Sequence, residues 1–339
     1  MKLGFWGAAR QVTGSMYLLC LENDYKVLID CGLDLEKERT NEHEDFKREL
    51  GFIFPFEVTE LNLVILTHAH VDHSGNIPNL IKEGYEGQIL CTQPTQELAE
   101  LLMMDSARIN RIKLSSVHGK GKKLNPKELN KRTAHLYLES HVKESLERFV
   151  PINFNRRFKV NESLYVTFIY AGHLLGAANV FIEARKDDKW IKIGFSGDLG
   201  RYNYPLLRDP EPFPEVDYLV CESTYGNKYH QGTETPEAVL ESVVRRTLID
   251  IPGRLIIPSF SVGRTQSLLY TLNKLNFKRK FPDIRIFTDS PMALKSSQLY
   301  EKYRSHLSKE ANEFYEDNDG LFNFENLTYI PDLDGFTPI

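Results

Sequence analysis

LTHAHVDHSGNIPNL, residues 66–80, places three histidines and one aspartate within six positions. The run LNLVILT that leads into it is largely apolar, as a strand buried on both faces would be. At the end of an extended segment, side chains two residues apart project to the same side, so His68 and His70 can reach one metal ion. Asp72 and His73 follow where the chain turns toward the helix-like NIPNLIK, and they can point to a neighbouring position. Zn²⁺ accepts imidazole nitrogen and carboxylate oxygen, so the stretch predicts a zinc cluster rather than surface histidines on a loop.

Later segments offer further ligands, since zinc takes at least three from the protein. YAGHLLGAANVF places His173 between a strand and a glycine-rich turn, where a lone histidine is also common as a structural residue. IGFSGDLGR places Asp198 at a strand end among glycines, a position where aspartate often serves only a turn. LIDCG likewise ends a strand with Asp30. Taken one at a time, these residues allow both the metal and the structural interpretation.

The composition fits one large domain or two ordinary ones: 339 residues, of which 41% are hydrophobic. The net charge of −5 neither indicates nucleic-acid binding nor excludes it, because attraction depends on local patches. We find no signal-peptide pattern and no apolar run near the ~20 residues needed to cross a membrane. The four cysteines are scattered without CxxC spacing, which favours small core residues over a disulfide or thiolate site. We therefore expect a cytoplasmic protein that does not enter the membrane.

The pattern of predicted elements changes along the chain. The first 200 residues alternate strand-like and helix-like runs, including a helix that starts at the proline of IPNLIKEGY and a longer helix with Thr95 as its N-cap. The helix TAHLYLESHVKESLERF follows later. Beyond a proline-rich stretch near residues 205–214, the strands GRLIIPSF and DIRIFTD alternate with helices, which predicts a parallel sheet. We expect an α/β protein with domains at 1–208 and 209–339.

Three polar segments allow two interpretations each. Residues 118–132 hold six basic side chains and one glutamate, as a solvated loop or a contact to phosphates would. KLNFKRK, residues 274–280, is either a solvated helix end or an RNA contact. SFSVGRTQ runs from a strand end into a helix start, where its polar groups could bind backbone phosphate or only cap and pack the helix. Its candidate phosphate-binding residues are Ser259, Ser261, Arg264 and Thr265.

The combination of LIDCG, HAHVDH, GHLLGAA and SGDLGR, in this order, resembles the metallo-β-lactamase superfamily. The resemblance implies an αββα sandwich with the site at one edge of its two sheets. It implies that one zinc ion is held by His68, His70 and His173. It implies a second ion at Asp72 and His73, with Asp198 bridging the two. The resemblance also implies that Asp30 orients the metal ligands without binding a metal ion itself.

Further segments, GAARQVTGS, CESTYGN, SFSVGRTQSLLYTL and TDSPMA, look like the β-CASP nucleases of the RNA-processing branch, closest to the stand-alone bacterial type. The resemblance implies a Rossmann-like β-CASP domain inserted into the lactamase fold. It implies a zinc-dependent hydrolase that cleaves phosphodiester bonds of single-stranded RNA, in which two metals activate a bridging hydroxide. Asp30, Asp72 and Glu222 would be its catalytic residues. A homodimer is also expected.

The family pattern contains two histidines after the β-CASP insert, and the last histidine here is His306. Three interpretations follow: part of a longer enzyme, a non-cleaving relative that binds RNA or serves as a scaffold, or a metallo-hydrolase of a small-molecule ester or thioester. The first implies a weakened second metal site. It also implies unpaired strand edges with exposed apolar side chains.

Overall fold

The computed structural model describes residues 1–35, 53–119, 133–229, 234–251, 253–278, 284–318 and 320–330. They form two compact units. The first unit consists of Met1–Ala171, Gly176–Leu199 and Glu211–Thr224. The second consists of Gly172–Leu175, Gly200–Pro210 and the described residues from Tyr225 onward. The predicted domain boundary after residue 208 stays a prediction.

The first unit contains a six-stranded sheet whose strands follow one another in chain order. Its strands are β1 Lys2–Gly7, β2 Met16–Cys20, β3 Lys26–Ile29, β4 Leu63–Ile65, β5 Gln88–Cys91 and β6 Phe149–Pro151. The first three strands pair antiparallel, and the pairs from β3 to β6 are parallel. Parallel strands bring their carboxyl ends to one edge of the sheet, so the residues that follow β3 and β4 become neighbours. The residues at these two positions are Asp30 and the HAHVDH segment.

A second sheet of five strands lies in the same unit. Its strands are β7 Phe158–Asn161, β8 Leu164–Tyr170, β9 Ala178–Lys186, β10 Lys189–Phe195 and β11 Tyr218–Val220. The order is β11-β10-β9-β8-β7, with β10 and β11 parallel and the other pairs antiparallel. Two candidate ligands follow from it, because His173 lies in the β8–β9 connection and Asp198 follows β10.

The core of the first unit lies between the two sheets. Alternate residues of β8, β9 and β10 point inward and meet the buried residues of the first sheet, so the 2-residue period of the strands produces a two-sheet sandwich. The cluster includes Leu19, Val27, Ile29, Leu63, Ile65, Leu90, Leu164, Val166, Phe168, Val180, Ile182, Ile193 and Phe195. This packing holds the strand ends that carry the polar residues.

Among the described residues, four helices connect strands of the six-stranded sheet: α1 Val71–Ser74, α2 Ile77–Lys82, α3 Gln93–Gly119 and α4 Glu139–Leu146. The helix predicted to start at Pro78 is confirmed, with proline in its first turn. The prediction of Thr95 as the N-cap of α3 is wrong, because that helix already begins at Gln93. The helix predicted over TAHLYLESHVKESLERF is confirmed only for Glu139–Leu146.

The described part of the second unit contains four α-helices: α5 Pro236–Val244, α6 Arg264–Phe277, α7 Pro291–Lys302 and α8 Lys309–Asn318. A π-helical turn, Arg245–Asp250, continues α5. Strands β12 Ile286–Thr288 and β13 Leu327–Tyr329 pair in parallel. The strand predicted at GRLIIPSF is wrong for the described structure, where residues 253–260 have no regular secondary structure and Ile256 is 84% exposed. Its apolar pattern therefore has no sheet to face among the described residues.

Some predictions concern residues whose structure is only partly described. The side chains of the basic segment 118–132 lie outside the described part of the chain, as do Arg279 and Lys280 of KLNFKRK. The core prediction for the cysteines holds for Cys31 and Cys91 but is wrong for Cys221, which is exposed. Within the described residues, no helix is both long and apolar enough to cross a membrane.

Candidate metal centre

The polar residues at the carboxyl ends of the strands converge on one point. One ligand atom from each of His68, His70, His173 and Asp198 lies within 4.8 Å of the others. His68 Nε2 lies 3.1 Å from His70 Nδ1 and 3.8 Å from Asp198 Oδ2. Three imidazoles and one carboxylate form a donor set that suits a zinc-like ion. The structure thus brings together four of the residues that the sequence singled out.

The short helix α1 orients the second half of the HAHVDH segment. The carbonyl of His70 accepts hydrogen bonds from the N–H groups of His73 and Ser74, at 2.9 and 2.8 Å. The Ser74 hydroxyl donates to the carbonyl of Ala69 at 2.7 Å. The chain therefore changes from extended to helical at His70, and His73 turns back toward the cluster instead of away from it.

Asp30 lies behind the cluster and accepts three hydrogen bonds. It is fully buried and has a φ of 57°, an uncommon conformation for a residue other than glycine. Its Oδ1 accepts from the Thr67 N–H at 2.8 Å, and its Oδ2 accepts from the Thr67 hydroxyl at 2.9 Å. The same Oδ2 lies 2.7 Å from His73 Nδ1. A buried carboxylate needs such partners, and Asp30 has them from two different segments.

Thr67 determines the tautomer of His68. Its hydroxyl proton is used on Asp30, and its oxygen lies 3.0 Å from His68 Nδ1. Since the hydroxyl has a single proton, the imidazole is the donor in the second contact, and His68 carries its proton on Nδ1. The lone pair of Nε2 then points at the cluster. This is the arrangement that a metal-binding histidine requires.

His73 connects Asp30 with Asp198. Its Nδ1 faces Asp30, and its Nε2 lies 3.3 Å from Asp198 Oδ1 and 3.4 Å from the Ser15 hydroxyl. Burial opposes a charge on His73, but the carboxylates of Asp30 and Asp198 outweigh it and hold the pKa of the imidazole well above its usual range. The two neighbouring carboxylates thus favour a protonated His73, and a metal ion would bind at Nε2, the ring nitrogen that does not face Asp30.

The two oxygens of Asp198 face different histidines. Oδ2 is directed at His68 and Oδ1 at His73. The rings of His68 and His73 pack against each other, with centroids 4.1 Å apart. One carboxylate therefore reaches two adjacent positions, as a ligand shared by two ions would.

Asp72 contributes differently from its neighbours. Its carboxylate is not one of the four grouped ligands, whereas its backbone carbonyl accepts from the Ser15 N–H at 2.8 Å. Burial is the largest cause that raises the pKa of Asp72; His73 opposes the rise, and Asp198 adds to it. The carbonyl of Asp72 is also packed closely against Gly32, where a Cβ would lie 1.7 Å from its oxygen.

Glu222 follows β11, and its carboxylate accepts hydrogen bonds from backbone N–H groups. Its Oε1 accepts from the Leu199 N–H at 3.0 Å, and its Oε2 accepts from the Thr224 N–H at 3.2 Å. Its own N–H donates to the hydroxyl of Ser196 at 2.9 Å. Glu222 is therefore bound to the residue directly after Asp198.

The candidate phosphate-binding residues lie in the second unit at the start of α6. The hydroxyls of Ser261 and Ser290 lie 3.1 Å apart, and Thr265 donates to the carbonyl of Phe260 at 2.7 Å. Arg264 is exposed. Ser259 makes only a long contact of 3.5 Å to the next carbonyl. The hydroxyls of these residues contact carbonyls or another hydroxyl and do not cap α6, and phosphate binding stays a prediction.

Sequence reasoning missed two residues that hold the cluster. Thr67 sets the tautomer of His68, and Ser15 contacts His73. Thr67 directly precedes HAHVDH, so the expectation of hydrogen bonding behind a metal ligand could have found it. Ser15 is 58 positions from His73, and no local signal relates the two.

Two domain families match this chain. Residues 18–193 match the metallo-β-lactamase superfamily domain, and residues 265–334 match the Beta-Casp domain. Among solved structures, a metallo-β-lactamase of Cronobacter sakazakii is 16% identical with a TM-score of 0.35, over 60% of this chain and 62% of that one. The enzyme BJP-1 of Bradyrhizobium japonicum is 16% identical with a TM-score of 0.32, over 57% and 58%.

Three curated relatives match nearly the whole chain. Ribonuclease TTHA0252 of Thermus thermophilus is 32% identical over 91% of this chain and 63% of its own length. The transcription termination factor FttA of Methanosarcina mazei is 29% identical over 90% of this chain and 44% of its own length. Cleavage and polyadenylation specificity factor 73 of Drosophila melanogaster is 28% identical over 98% and 44%. The chain thus spans 44–63% of the length of these relatives, which is less than two thirds.

The first domain match covers more than half of the chain, so this protein belongs to the metallo-β-lactamase superfamily. Within it the chain carries a Beta-Casp domain, as the sequence motifs predicted. The predicted fold class is confirmed. The superfamily and the cluster at His68, His70, His173 and Asp198 together indicate a metal cofactor.

Proposed function

We propose that this protein is a zinc-dependent ribonuclease that hydrolyses phosphodiester bonds of single-stranded RNA. The observation that carries the proposal is the Asp198 carboxylate, which directs one oxygen at His68 and the other at His73. A carboxylate whose two oxygens point in these two directions can bind two adjacent metal ions at once. Many phosphodiester hydrolases use two adjacent metal ions in this way. The similarity to Ribonuclease TTHA0252 over 91% of the chain supports RNA as the substrate.

The residues present fit two zinc ions unequally. We assign the first ion to His68, His70 and His173, whose nitrogens already converge. We assign the second to Asp72 and His73, with Asp198 as the shared ligand. The second set is the weaker one, because the Asp72 carboxylate stands apart from the grouped ligands.

When bound, the ions supply Lewis acidity to a phosphodiester and lower the pKa of water at the site. The chain's own part is to hold the ligand protons in place. Asp30 keeps a proton on His73 Nδ1 directly and on His68 Nδ1 through the hydroxyl of Thr67. Both Nε2 lone pairs are then available on the side of the cluster. In this scheme Asp30 is an orienting residue.

Glu222 and Asp72 are the carboxylates proposed to assist the chemistry. Glu222 binds the N–H of Leu199 and so orients the loop that carries Asp198. Asp72 has a raised pKa, because its carboxylate is buried and lies near the carboxylate of Asp198. At the start of α6, the proposed phosphate contacts are Ser259, Ser261, Arg264 and Thr265. If these residues bind phosphate, Arg264→Ala should lower the affinity of the chain for RNA and leave its zinc content unchanged.

The test begins with the metal content of the purified chain, measured by elemental analysis. We expect up to two zinc ions per chain and cleavage of a labelled single-stranded RNA. His70→Ala and Asp198→Asn should lose cleavage and at least one zinc. Asp188→Asn serves as the control, because Asp188 is a fully exposed aspartate paired only at the surface with Arg185. Cleavage of equal rate in His70→Ala would reveal a contaminating nuclease, and the absence of zinc in the parent chain would refute the proposal.

The same experiment separates the alternative functions. Binding of zinc and RNA without cleavage would indicate a binding or scaffold protein, or part of a longer enzyme. Turnover of thioesters without RNA binding would indicate a small-molecule hydrolase.

We also infer that the protein is cytoplasmic, where RNA substrates are abundant, and that it forms a homodimer. Sedimentation analysis that finds only monomers at micromolar concentration would exclude the homodimer.

A further inference from the structure

A pair of threonines binds the loop that carries His173. The carbonyl of Gly176 accepts hydrogen bonds from the hydroxyls of Thr92 and Thr95, at 2.7 and 2.9 Å. Thr92 and Thr95 are 2% and 0% exposed, so water does not offer these groups an alternative. The two hydroxyls also lie 3.0 Å from each other, and each has a single proton, which the shorter distances assign to the Gly176 carbonyl. A carbonyl has two lone pairs and can accept both. His173 lies three residues before this carbonyl.

The second hydroxyl is not needed to cap the helix. Helix α3 begins at Gln93, so Thr92 occupies the position just before it, and the Thr95 N–H approaches the Thr92 hydroxyl at 3.4 Å. Capping of a helix start requires one such side chain. Thr95 lies within the first turn, and its hydroxyl donates away from the helix to Gly176. This contact therefore serves the loop, not the helix.

The rest of the loop allows few alternatives. Ala171 N–H donates to the carbonyl of Ala177 at 3.1 Å and closes the loop, and Ala178 N–H donates to the carbonyl of Thr67 at 3.0 Å. Thr67 is the residue before His68, so this end of the loop is bound beside that ligand. Gly176 has a φ of 81°, and a Cβ there would lie 2.7 Å from the Thr95 nitrogen. The close approach of the two segments thus requires glycine at this position.

We propose that Thr92 and Thr95 are positioning residues of the metal centre: together they fix the Gly176 carbonyl and so the place of His173 relative to His68 and His70. This inference rests on the proposed function. Valine has nearly the shape of threonine but no hydroxyl. In Thr92→Val/Thr95→Val the buried carbonyl loses both donors, and the loop moves to find others. His173 then leaves its position, and zinc binds more weakly while the fold persists.

The test compares zinc affinity by competition with a chromophoric chelator. We expect Thr92→Val/Thr95→Val to bind zinc at least ~10-fold more weakly, the usual cost of losing a group that orients a metal ligand. Thr95→Ser keeps the hydroxyl and should stay within about 2-fold of the parent, again in line with a purely orienting role. The absorption spectrum of the Co²⁺-loaded chain should change in the double variant and not in Thr95→Ser, because it reports the ligand geometry directly.

Thr271→Val is the matched control. Thr271 is also buried, and its hydroxyl donates to the carbonyl of Ser267 at 2.8 Å in the second unit. Urea unfolding of the metal-free chains should show similar losses for this control and for Thr95→Val, whereas only Thr95→Val should lose zinc affinity. If the double variant does not fold, Thr95→Val alone decides the question. Equal zinc affinity and an unchanged Co²⁺ spectrum would overturn the proposal. A parent chain that binds zinc but does not cleave RNA would refute the ribonuclease and leave the positioning role intact.

Discussion

Asp30 serves two histidines by two routes. It faces His73 directly and reaches His68 through the hydroxyl of Thr67. A single buried carboxylate thus sets the proton positions of two predicted ligands, and its charge is balanced by the hydrogen bonds it accepts. Its left-handed backbone conformation turns the side chain into this position immediately after β3.

Replacing Asp30 by asparagine should weaken metal binding more than it weakens the fold. Asparagine offers one oxygen where Asp30 uses two. Either the Thr67 N–H loses its acceptor, or both the Thr67 hydroxyl and His73 Nδ1 lose theirs. We expect zinc affinity to fall about 10- to 100-fold, the range found for groups that orient metal ligands. Chelator competition measures this, with Asp188→Asn as the control. An Asp30→Asn chain with parental affinity would mean that Asp30 does not orient the ligands.

Gly32 allows α1 to approach the end of β3. A Cβ at this position would lie 1.7 Å from the Asp72 oxygen, so Gly32→Ala must displace the turn that carries Asp72 and His73. Overpacking of this kind typically costs about 1–3 kcal/mol of unfolding free energy. Urea unfolding and zinc affinity should both decrease. Gly253→Ala is the control, since the nearest atom to its Cβ would be 3.1 Å away. Parental stability in Gly32→Ala would contradict the close packing of this turn.

At the scale of elements, local patterns identified most strands and helices of the first unit, because alternation and apolar runs there match real burial. GRLIIPSF shows where this fails. Its composition favours a strand, yet Ile256 and Phe260 are 84% and 73% exposed and no described strand pairs with it. Strand formation needs a partner as well as propensity, and propensity is all that a single sequence displays.

Some residues of the candidate site could be predicted from the sequence alone, and others could not. The spacing of His68 and His70 indicates a shared direction from local geometry alone. His173 and Asp198 lie more than 100 positions away, and only the resemblance to a family joined them to the first pair. The hydrogen bonds that orient these ligands, from Thr67, Ser15 and Gly176, depend on how loops meet in three dimensions. No periodic pattern in the sequence indicates these hydrogen bonds.

Strand β11 at the edge of the five-stranded sheet should promote self-association. Tyr218 is 66% exposed and Leu219 is 53% exposed, and apolar edges invite pairing with other chains. Leu219→Lys should therefore raise the concentration at which the protein aggregates, as followed by light scattering. Ile112→Lys is the control, because it adds the same charge on a helix at a residue that is 69% exposed. Equal gains from both variants would show that added charge, not the edge strand, is responsible.

At the scale of the whole molecule, the predicted ligands come from three separate stretches of chain, around residues 68–73, 173 and 198. An ion that binds all of them binds the folded chain and not the unfolded one. Such an ion stabilises the fold by about 4 kcal/mol when its free concentration is 1,000 times the dissociation constant.

Removal of the metal should consequently lower the melting temperature by several degrees. We expect a chelator to produce this shift and added zinc to reverse it, measured by calorimetry. Asp198→Asn should show a much smaller shift, because it lacks the shared ligand. Identical melting of the loaded and the stripped parent chain would argue against a metal that joins these segments.

The exposed thiol of Cys221 gives the protein a practical property. Burial raises the pKa of both Cys31 and Cys91, which keeps these thiols protonated and unreactive, while Cys221 is open to solvent. It stands next to Glu222, whose carboxylate binds the loop of Asp198. A maleimide dye can be attached to Cys221 without engineering a cysteine. Such a dye would lie near the proposed metal centre, and its fluorescence would report the binding of metal and of RNA in real time.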